Sequence, residues 1–323
     1  MICVSPVDFI LIPTMLVSYD CGIKFDVYIR KGDCFFLFAR HGELNNNHKQ
    51  RLHDHDVEAL YIHVKDTTSY EEYVEINFSV ILQDDSIPLL DRSRMLYQYL
   101  SGLGQEILKK SKKNLATFKH RIKLEHLYDG MYEYMLRKQG AAKSITSLLS
   151  HDYRTFSHCV NVSVYTMMML VSLEYGKHRA KLVGTGAVLH DIGKAKVPRR
   201  ILDKPGRLTH EERLLINEHP AHGLEICRGI EVEALAMDCV IHHHEKLDGS
   251  GYPAQTRCIP EHVRIVTIAD IYDALTSDRP YAKACCPLEA LKILSKDAET
   301  GRLDKELCRE FTMIMSEGQI TTG

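Results

Sequence analysis

Apolar and polar residues alternate in short runs along the first hundred residues, a pattern typical of half-buried β-strands. The clearest run covers 23–30, where every second residue is apolar. Two further strands are predicted over 34–38 and 60–64, the first of them after a tight glycine-containing turn. We therefore expect a small α/β domain over residues 1–98.

A capping-box pattern, in which a hydroxyl residue is followed three positions later by a glutamate, marks two helix starts. Ser69 and Glu72 predict a helix that runs to about Leu82, and Thr209 and Glu212 predict another. Both pairs would satisfy backbone N–H groups that the first turn of a helix leaves free.

After residue 98 the hydrophobic period changes from two to between three and four, which is typical of helices. Residues 99–146 are expected to form a helical linker. Within this segment an apolar stripe lies beside a run of lysines and arginines, and consists of Leu108, Leu115, Phe118 and Ile122. The stripe fits either a core helix with a solvated basic face or a signalling or dimer helix.

Beyond residue 146 the chain shows one helical pattern after another and no comparable strand alternation. One predicted helix ends near Gly176 and carries on a single face His158, Val162, Tyr165 and Met169. Pro287 suits the first position of a later helix. We expect an all-α domain over 147–323, which makes the fold class α+β overall.

The composition is that of a globular protein and narrows the classes of function. Of the 323 residues, 45% are hydrophobic and 26% are charged, and the formal net charge is −2. Such a chain has no overall basic field to attract a nucleic acid polymer or an anionic membrane. No apolar stretch reaches the roughly 20 residues of a membrane span, and no secretory signal is evident. The ten cysteines form no C-x-x-C pair, so we expect reduced thiols and a cytoplasmic location.

Histidine is the residue in excess, with 18 in the chain. Imidazoles bind first-row transition metals, and a carboxylate can bridge two of them. Five histidines and two aspartates would suit a pair of ions. These seven residues are His158, His190, Asp191, His219, His243, His244 and Asp270. Two ions about 3.5–4 Å apart can activate water and stabilise both oxygens of an in-line displacement at phosphorus. The pattern therefore indicates phosphate chemistry.

Spacing places further side chains near this set. Lys194 lies four residues after His190 and three after Asp191, so on a helix its ammonium would project from the same face. There it could hold a phosphate oxygen or orient the attacking water. His243 and His244 would be about 100° apart within a helix, so we expect both at a helix end.

Two other histidine-containing segments are not expected to be primary ligands. His242 is expected to pack or to support the ligands, with substitution as a ligand the alternative. The segment His53-Asp54-His55-Asp56 is expected to be a solvated loop, because it has no helical ligand spacing and no partner group nearby.

Five segments resemble the successive motifs of the HD-GYP family, the HD-superfamily phosphodiesterases that hydrolyse cyclic di-GMP. In order they are VLHDIGKAKVP, ILDKPGRLTHEE, NEHPAHG, HHEKLDGSGYP and RIVTIADIYDALTSDRPY. The resemblance covers 147–323 and implies an HD-type helical fold. It also implies attack of a metal-bridging hydroxide on cyclic di-GMP to give linear pGpG, with a further cut to GMP left open.

Carried over position by position, the resemblance implies metal ligation by the seven residues given above, with Asp191 bridging. It implies a catalytic role for Asp191 and for Lys194, which matches the family lysine at the scissile phosphate or its attacking water. Substrate contacts are implied for Lys194, Arg279, Lys283, Gly249, Gly251, Tyr252 and Pro253. The last four belong to the turn that names the family, where glycines allow positive φ and close backbone approach.

Three departures from the family pattern affect these expectations. Arg154 stands where some members hold a third metal with a glutamate, and His151 is not expected to replace it, so we expect two ions. The histidine-rich ligands suit iron or manganese. The segment 253–259 is about two residues short, which reshapes one edge of the cleft. Ala282 replaces a basic residue, with Lys283 next, which weakens the expected grip on the far phosphate.

Two other functions remain open at this point. One is a non-catalytic module that binds cyclic di-GMP or a partner protein, and the other is a general HD nucleotide phosphohydrolase. The complete ligand set and Lys194 favour the phosphodiesterase. By its position alone, the N-terminal domain is expected to be sensory or regulatory. Expected partners are a diguanylate cyclase domain, through the Gly-Tyr-Pro turn, and a second copy of the chain in a homodimer.

Overall fold

A computed structural model describes residues 8–13, 17, 23–55, 57, 59–112, 117–149, 155–204, 206–278 and 283–317. The chain divides into two compact units, and the boundary lies between Met95 and Leu96. The first unit contains a sheet and helices, and every element described in the second unit is a helix. The predicted α+β class is therefore confirmed.

The first unit is built on a four-stranded antiparallel sheet with the strand order β1-β4-β2-β3. Its elements are β1 (Phe9–Pro13), β2 (Val27–Lys31), β3 (Cys34–Ala39), α1 (Asn46–Asp54), β4 (Ala59–His63) and α2 (Thr67–Gln83). Phe25, before β2, packs edge-on against Tyr70 and Tyr73 of α2. The segment that leads into β2 is thus joined to α2 through aromatic contacts.

Several boundaries in this unit differ from those predicted. The strand predicted over 23–30 begins at Val27, and β1 has no predicted counterpart. The helix α2 begins at Thr67, directly after a single 3-10 turn over Val64–Asp66, and its N-cap is Asp66. The Ser69 capping box was therefore wrong, because the preceding turn places the N-cap three residues earlier, at Asp66.

The histidine segment near residue 53 is only partly a loop. His53 and Asp54 belong to the last turn of α1, so the prediction of a loop was wrong for these two residues. Asp56 lies outside the described residues. Among the residues that the structure describes, no group able to hold a metal occurs in this segment.

A long helix, α3 (Leu89–Ser111), contains the boundary between the two units. It ends before α4 (Phe118–Arg137) begins, so the stripe predicted from Leu108 to Ile122 does not lie on one helix. Phe118 is 43% exposed, and Leu115 lies outside the described residues. The 7-3-4 spacing was therefore misleading, because a helix break falls inside it.

The second unit continues with ten helices among its described residues. They are α5 (Ala141–Thr146), α6 (Thr155–Ser172), α7 (Lys177–Leu189), α8 (Arg199–Leu202), α9 (His210–Asn217), α10 (His219–Gly229), α11 (Ala234–His242), α12 (Glu261–Thr276), α13 (Pro287–Glu299) and α14 (Lys305–Glu317). A 3-10 helix over Ile192–Lys196 follows α7. The capping box of Thr209 and Glu212 is confirmed at α9, and Pro287 is the first residue of α13.

Helix α7 lies at the centre of this unit and packs against α4, α6 and α11. Two glycines allow the close packing. A Cβ on Gly184 would lie 2.7 Å from a ring carbon of Tyr128, and a Cβ on Gly186 would lie 2.7 Å from the carbonyl oxygen of Ala236. The packing of α4 shows that the segment 99–146 contributes to the core of the second unit. The end of α7 is thereby fixed among three neighbouring helices.

Candidate metal centre

Seven polar side chains from five different helices or helix ends meet inside the second unit. Their positions follow from the local structure: His158 is in α6, His190 and Asp191 follow α7, His219 begins α10, His243 and His244 follow α11, and Asp270 is in α12. All the sequence-predicted metal ligands are therefore brought together. The expectation that His243 and His244 lie at a helix end is also met.

The seven residues form two ligand groups around one aspartate. The first group is His158, His190 and Asp270, and the second is His219, His243 and His244, with Asp191 in reach of both. On the first side, Asp191 Oδ2 lies 3.5 Å from His190 Nε2 and 3.8 Å from His158 Nε2. On the second side, Asp191 Oδ1 lies 3.2 Å from His219 Nε2 and 3.8 Å from His243 Nε2. Each carboxylate oxygen thus faces a different group.

Hydrogen bonds through Nδ1 fix four of the five histidine rings. His190 Nδ1 donates to Ala187 O at 2.7 Å, and His219 Nδ1 donates to Ile216 O at 2.7 Å. His243 Nδ1 donates to Cys239 O at 3.0 Å. Each bond keeps the proton on Nδ1. The lone pair of Nε2 is then free to bind a metal ion.

The fourth ring is fixed by a residue that the sequence did not single out. His158 Nδ1 donates to Asp273 Oδ2 at 2.7 Å, and Asn161 Nδ2 donates to Asp273 Oδ1 at 2.9 Å. Asp273 is buried. It lies three residues after Asp270 on α12, so both carboxylates occupy one helix face. That spacing within IADIYDAL was the signal that could have identified it.

The electrostatics favour neutral imidazoles beside ionised carboxylates. Burial lowers the pKa of His190 and His243, and lowers the pKa of His219 to about 4. Burial alone would raise the pKa of Asp191, but Lys194 and the neighbouring histidines hold it well below its usual range. These are the protonation states in which the groups bind cations.

Lys194 lies in the 3-10 helix after Asp191, with its Nζ 2.5 Å from Asp191 Oδ2. The lysine side chain is 15% exposed and the carboxylate is buried. The sequence predicted that the Lys194 ammonium would project from the same face as Asp191. The 3-10 helix brings the two groups together. Lys194 therefore places a positive charge at the edge of the cluster.

The residues present fit a metal ion better than they fit one another. His190 Nε2 and Asp191 Oδ1 are buried atoms without a hydrogen-bond partner, and burial of an unpaired polar atom is costly. His219 Nε2 and His243 Nε2 also face each other at 3.2 Å. Divalent cations held by the two ligand groups would satisfy these lone pairs. The cluster can therefore hold metal ions.

The Gly-Tyr-Pro turn lies directly against the cluster. The ring of Tyr252 stacks on that of His244, with centroids 4.6 Å apart and planes inclined by 30°. Gly249 has a φ of 80°, and a Cβ on Gly251 would overlap the His244 carbonyl oxygen and the Glu245 Cα atom. Both predicted requirements for glycine, a positive φ and a close backbone approach, are met.

The remaining predicted positions are placed only in part. His242 has its Nδ1 3.9 Å from Glu245 Oε1 and belongs to neither ligand group. Lys283 is exposed beyond α12. Predictions for Arg279, Ala282, Arg154 and His151 concern positions outside the described residues.

A helical domain with a histidine and aspartate cluster at its centre defines the class of protein. Residues 138–307, more than half of the chain, match the family model described as HD domain. The chain belongs to the HD-domain family, and the resemblance to its HD-GYP members is confirmed.

Two curated relatives illustrate what the chain is similar to. A cyclic di-GMP phosphodiesterase of Pseudomonas aeruginosa is 37% identical over 191 residues, which are 57% of this chain and 45% of that protein. A 3′3′-cGAMP-specific phosphodiesterase of Vibrio cholerae is 33% identical over 206 residues, which are 63% of this chain and 43% of that protein. The chain thus covers less than half the length of either relative.

A solved structure supports the fold. An HDG"Y"P protein from Bdellovibrio bacteriovorus matches with a TM-score of 0.66 and 18% identity, over 96% of this chain and all of that one. Among the residues that the structure describes, no helix is both long enough and apolar enough to span a membrane.

Proposed function

We propose that this chain is a metal-dependent phosphodiesterase that hydrolyses cyclic di-GMP to linear pGpG. The observation that carries this proposal is Asp191, whose two oxygens face two ligand groups, with the Lys194 ammonium 2.5 Å from one of them. A shared carboxylate between two metal sites is a recurring device for cleaving phosphoesters. The name of the Pseudomonas relative supports the same substrate.

The proposed cofactor is a pair of divalent ions, iron or manganese. His158, His190 and Asp270 would hold one ion and His219, His243 and His244 the other, with Asp191 between them. Histidine-rich sites with few carboxylates suit these metals better than magnesium. Bound ions would supply an activated water and positive charge at the reacting phosphate.

The side chains of the site then have separate roles. Asp191, ionised and buried, orients both groups. Lys194, which reaches the cluster from its exposed edge, holds a phosphate oxygen or the attacking water. Arg279 and Lys283 are proposed to contact the substrate from the segment after α12, and Gly249, Gly251, Tyr252 and Pro253 to form one side of its binding site.

The domain organisation is part of the proposal. Residues 147–323 form the catalytic domain, 99–146 connect it to the rest of the chain, and 1–98 have a regulatory role. Location in the cytoplasm follows, because cyclic di-GMP is a second messenger inside the cell. Proposed partners are a diguanylate cyclase domain at the Gly-Tyr-Pro turn and a second copy of this chain.

A second substrate is favoured by one specific observation. The name of the Vibrio relative specifies 3′3′-cGAMP, and the similarity to that protein extends over 63% of this chain. Cyclic di-GMP and 3′3′-cGAMP share the same phosphodiester ring and differ in one base. The metal centre would therefore act on either, and selection must come from contacts to the bases.

The test is product analysis by liquid chromatography after anaerobic incubation with ferrous or manganous ion. Cyclic di-GMP and 3′3′-cGAMP are supplied in parallel, with the Asp191→Ala variant as the control. We expect pGpG from cyclic di-GMP and a silent control. Faster turnover of 3′3′-cGAMP would change the substrate and keep the mechanism. No product from either substrate, in protein that contains metal, would contradict hydrolysis and favour a binding module.

A further inference from the structure

His244 differs from the other four histidines of the cluster in how its ring is held. The others each donate a hydrogen bond from Nδ1 to a backbone carbonyl or to Asp273. The Nδ1 of His244 faces Asp270 Oδ2 at 3.7 Å, which is beyond hydrogen-bond distance. The side chain is also 24% exposed, whereas the other four histidines are buried. Another contact must therefore fix the orientation of the His244 ring.

Tyr252 supplies that contact, since its ring stacks on the ring of His244. The ring centroid of His243 also lies 4.1 Å from that of His244. Stacked rings in contact restrict rotation about the bonds of both side chains. His244 is thus held by neighbouring rings where the other ligands are held by hydrogen bonds.

Tyr252 can hold His244 only while the turn that carries it stays in place. The turn is fixed at two points: Tyr252 N donates to His244 O at 3.3 Å, and Ala254 N donates to Glu245 Oε1 at 2.6 Å. Glu245 is 1% exposed. A carboxylate is rarely buried to this extent unless it makes strong hydrogen bonds. Glu245 Oε2 has no hydrogen-bond partner among the described residues, so the carboxylate is held through Oε1 and Ala254 N.

We propose that Tyr252 and Glu245 are positioning residues for His244: Tyr252 orients the imidazole toward its metal, and Glu245 anchors the turn that carries Tyr252. This inference rests on the proposed metal site. It gives the Gly-Tyr-Pro turn a task within the metal centre, in addition to any contact with substrate or partner. The shorter of the two hydrogen bonds that fix the turn is the one from Ala254 N to Glu245 Oε1. Because Ala254 lies two residues after Tyr252, loss of the Glu245 carboxylate should release the tyrosine ring.

The test measures metal affinity, so that it does not depend on catalysis. Manganese binding to the full chain is followed by calorimetric titration for the wild type, Tyr252→Ala, Tyr252→Phe, Glu245→Ala and Glu245→Gln. Glu299→Ala, which removes an exposed glutamate at the end of α13, is the matched control. Circular dichroism and thermal unfolding establish that each variant is folded.

We expect Tyr252→Ala and Glu245→Ala to weaken one of two manganese sites by roughly 10-fold or more, the usual effect of removing a group that orients a ligand. Tyr252→Phe keeps the ring, and Glu245→Gln keeps an oxygen that can accept from Ala254 N. Both should bind manganese within about twofold of the wild type. The Glu299→Ala control should not change.

Limited trypsin digestion provides a second measurement that separates the two residues. Arg257 is exposed three residues after Ala254, and cleavage behind it reports movement of the turn. Glu245→Ala should be cleaved faster at Arg257 than Tyr252→Ala. Wild-type manganese affinity in folded Tyr252→Ala and Glu245→Ala would overturn the proposal. If the variants show these changes in manganese affinity but the wild type hydrolyses no cyclic dinucleotide, the proposed function is overturned. The positioning role of Tyr252 and Glu245 would still hold.

Discussion

The two ligand groups of the metal centre are built differently. His158 and His190 of the first group are buried within or directly after long helices, and hydrogen bonds fix both rings. The second group includes His244, which is partly exposed and rests on Tyr252. The first group is therefore preorganised by the protein core, whereas one of the three histidines of the second group, His244, depends on a surface turn. Changes at the surface should affect the second group selectively.

Replacement of Asp191 should affect both ligand groups, because its carboxylate lies between them. In Asp191→Ala we expect the rate of cyclic dinucleotide hydrolysis to fall by about 1000-fold or more, since a lost shared ligand removes several kcal/mol of stabilisation. The rate is measured by chromatography and the metal content by mass spectrometry. Retention of both ions and of activity would contradict the role of Asp191.

Lys194→Met should separate chemistry from metal binding. The variant removes the ammonium beside Asp191 Oδ2 and no ligand. We expect kcat to fall by about 100-fold, which is typical for loss of one charge-stabilising donor, while two ions stay bound. A fall in metal content that accounts for the whole loss would show that Lys194 supports the cluster instead.

Asp273→Asn should weaken the first group alone. The carboxylate accepts from His158 Nδ1, and loss of such a partner typically lowers metal affinity by about 10- to 100-fold. Calorimetric titration should show one weakened site and one unchanged site. The matched control is Asp238→Asn, which alters another aspartate paired with a histidine, His262, at 3.3 Å. Equal weakening of both sites would contradict the independence of the two groups.

The smallest expected effect concerns the helix that leads into His219. Thr209 Oγ1 accepts from Glu212 N at 3.2 Å and Glu212 Oε2 accepts from Thr209 N at 2.8 Å, which caps α9. Thr209→Ala should lower the free energy of unfolding by about 1 kcal/mol, as measured by chemical denaturation. Manganese affinity should stay unchanged, because His219 Nδ1 is bonded to Ile216 O in the last turn of α9, at the end opposite to the Thr209 cap.

Six of the seven ligands could be predicted from the sequence because each lies in a short motif whose spacing is fixed by one helix or helix end, and His158 stands outside these motifs on a helix face. The supporting contacts could not, since Asp273 meets His158 across 115 residues of chain. The stacking of Tyr252 on His244 likewise depends on the three-dimensional course of a turn. In the first unit, the start of α2 was misplaced because a 3-10 turn leads into the helix and its N-cap, Asp66, makes no side-chain capping hydrogen bond.

Electron paramagnetic resonance of the manganese-loaded chain can show whether Asp191 joins two metal sites. Two Mn²⁺ ions that share a carboxylate are magnetically coupled. We expect a coupled spectrum with two ions per chain, which Asp191→Ala converts to that of isolated ions. Isolated Mn²⁺ spectra in the wild type, with one ion per chain, would contradict this expectation.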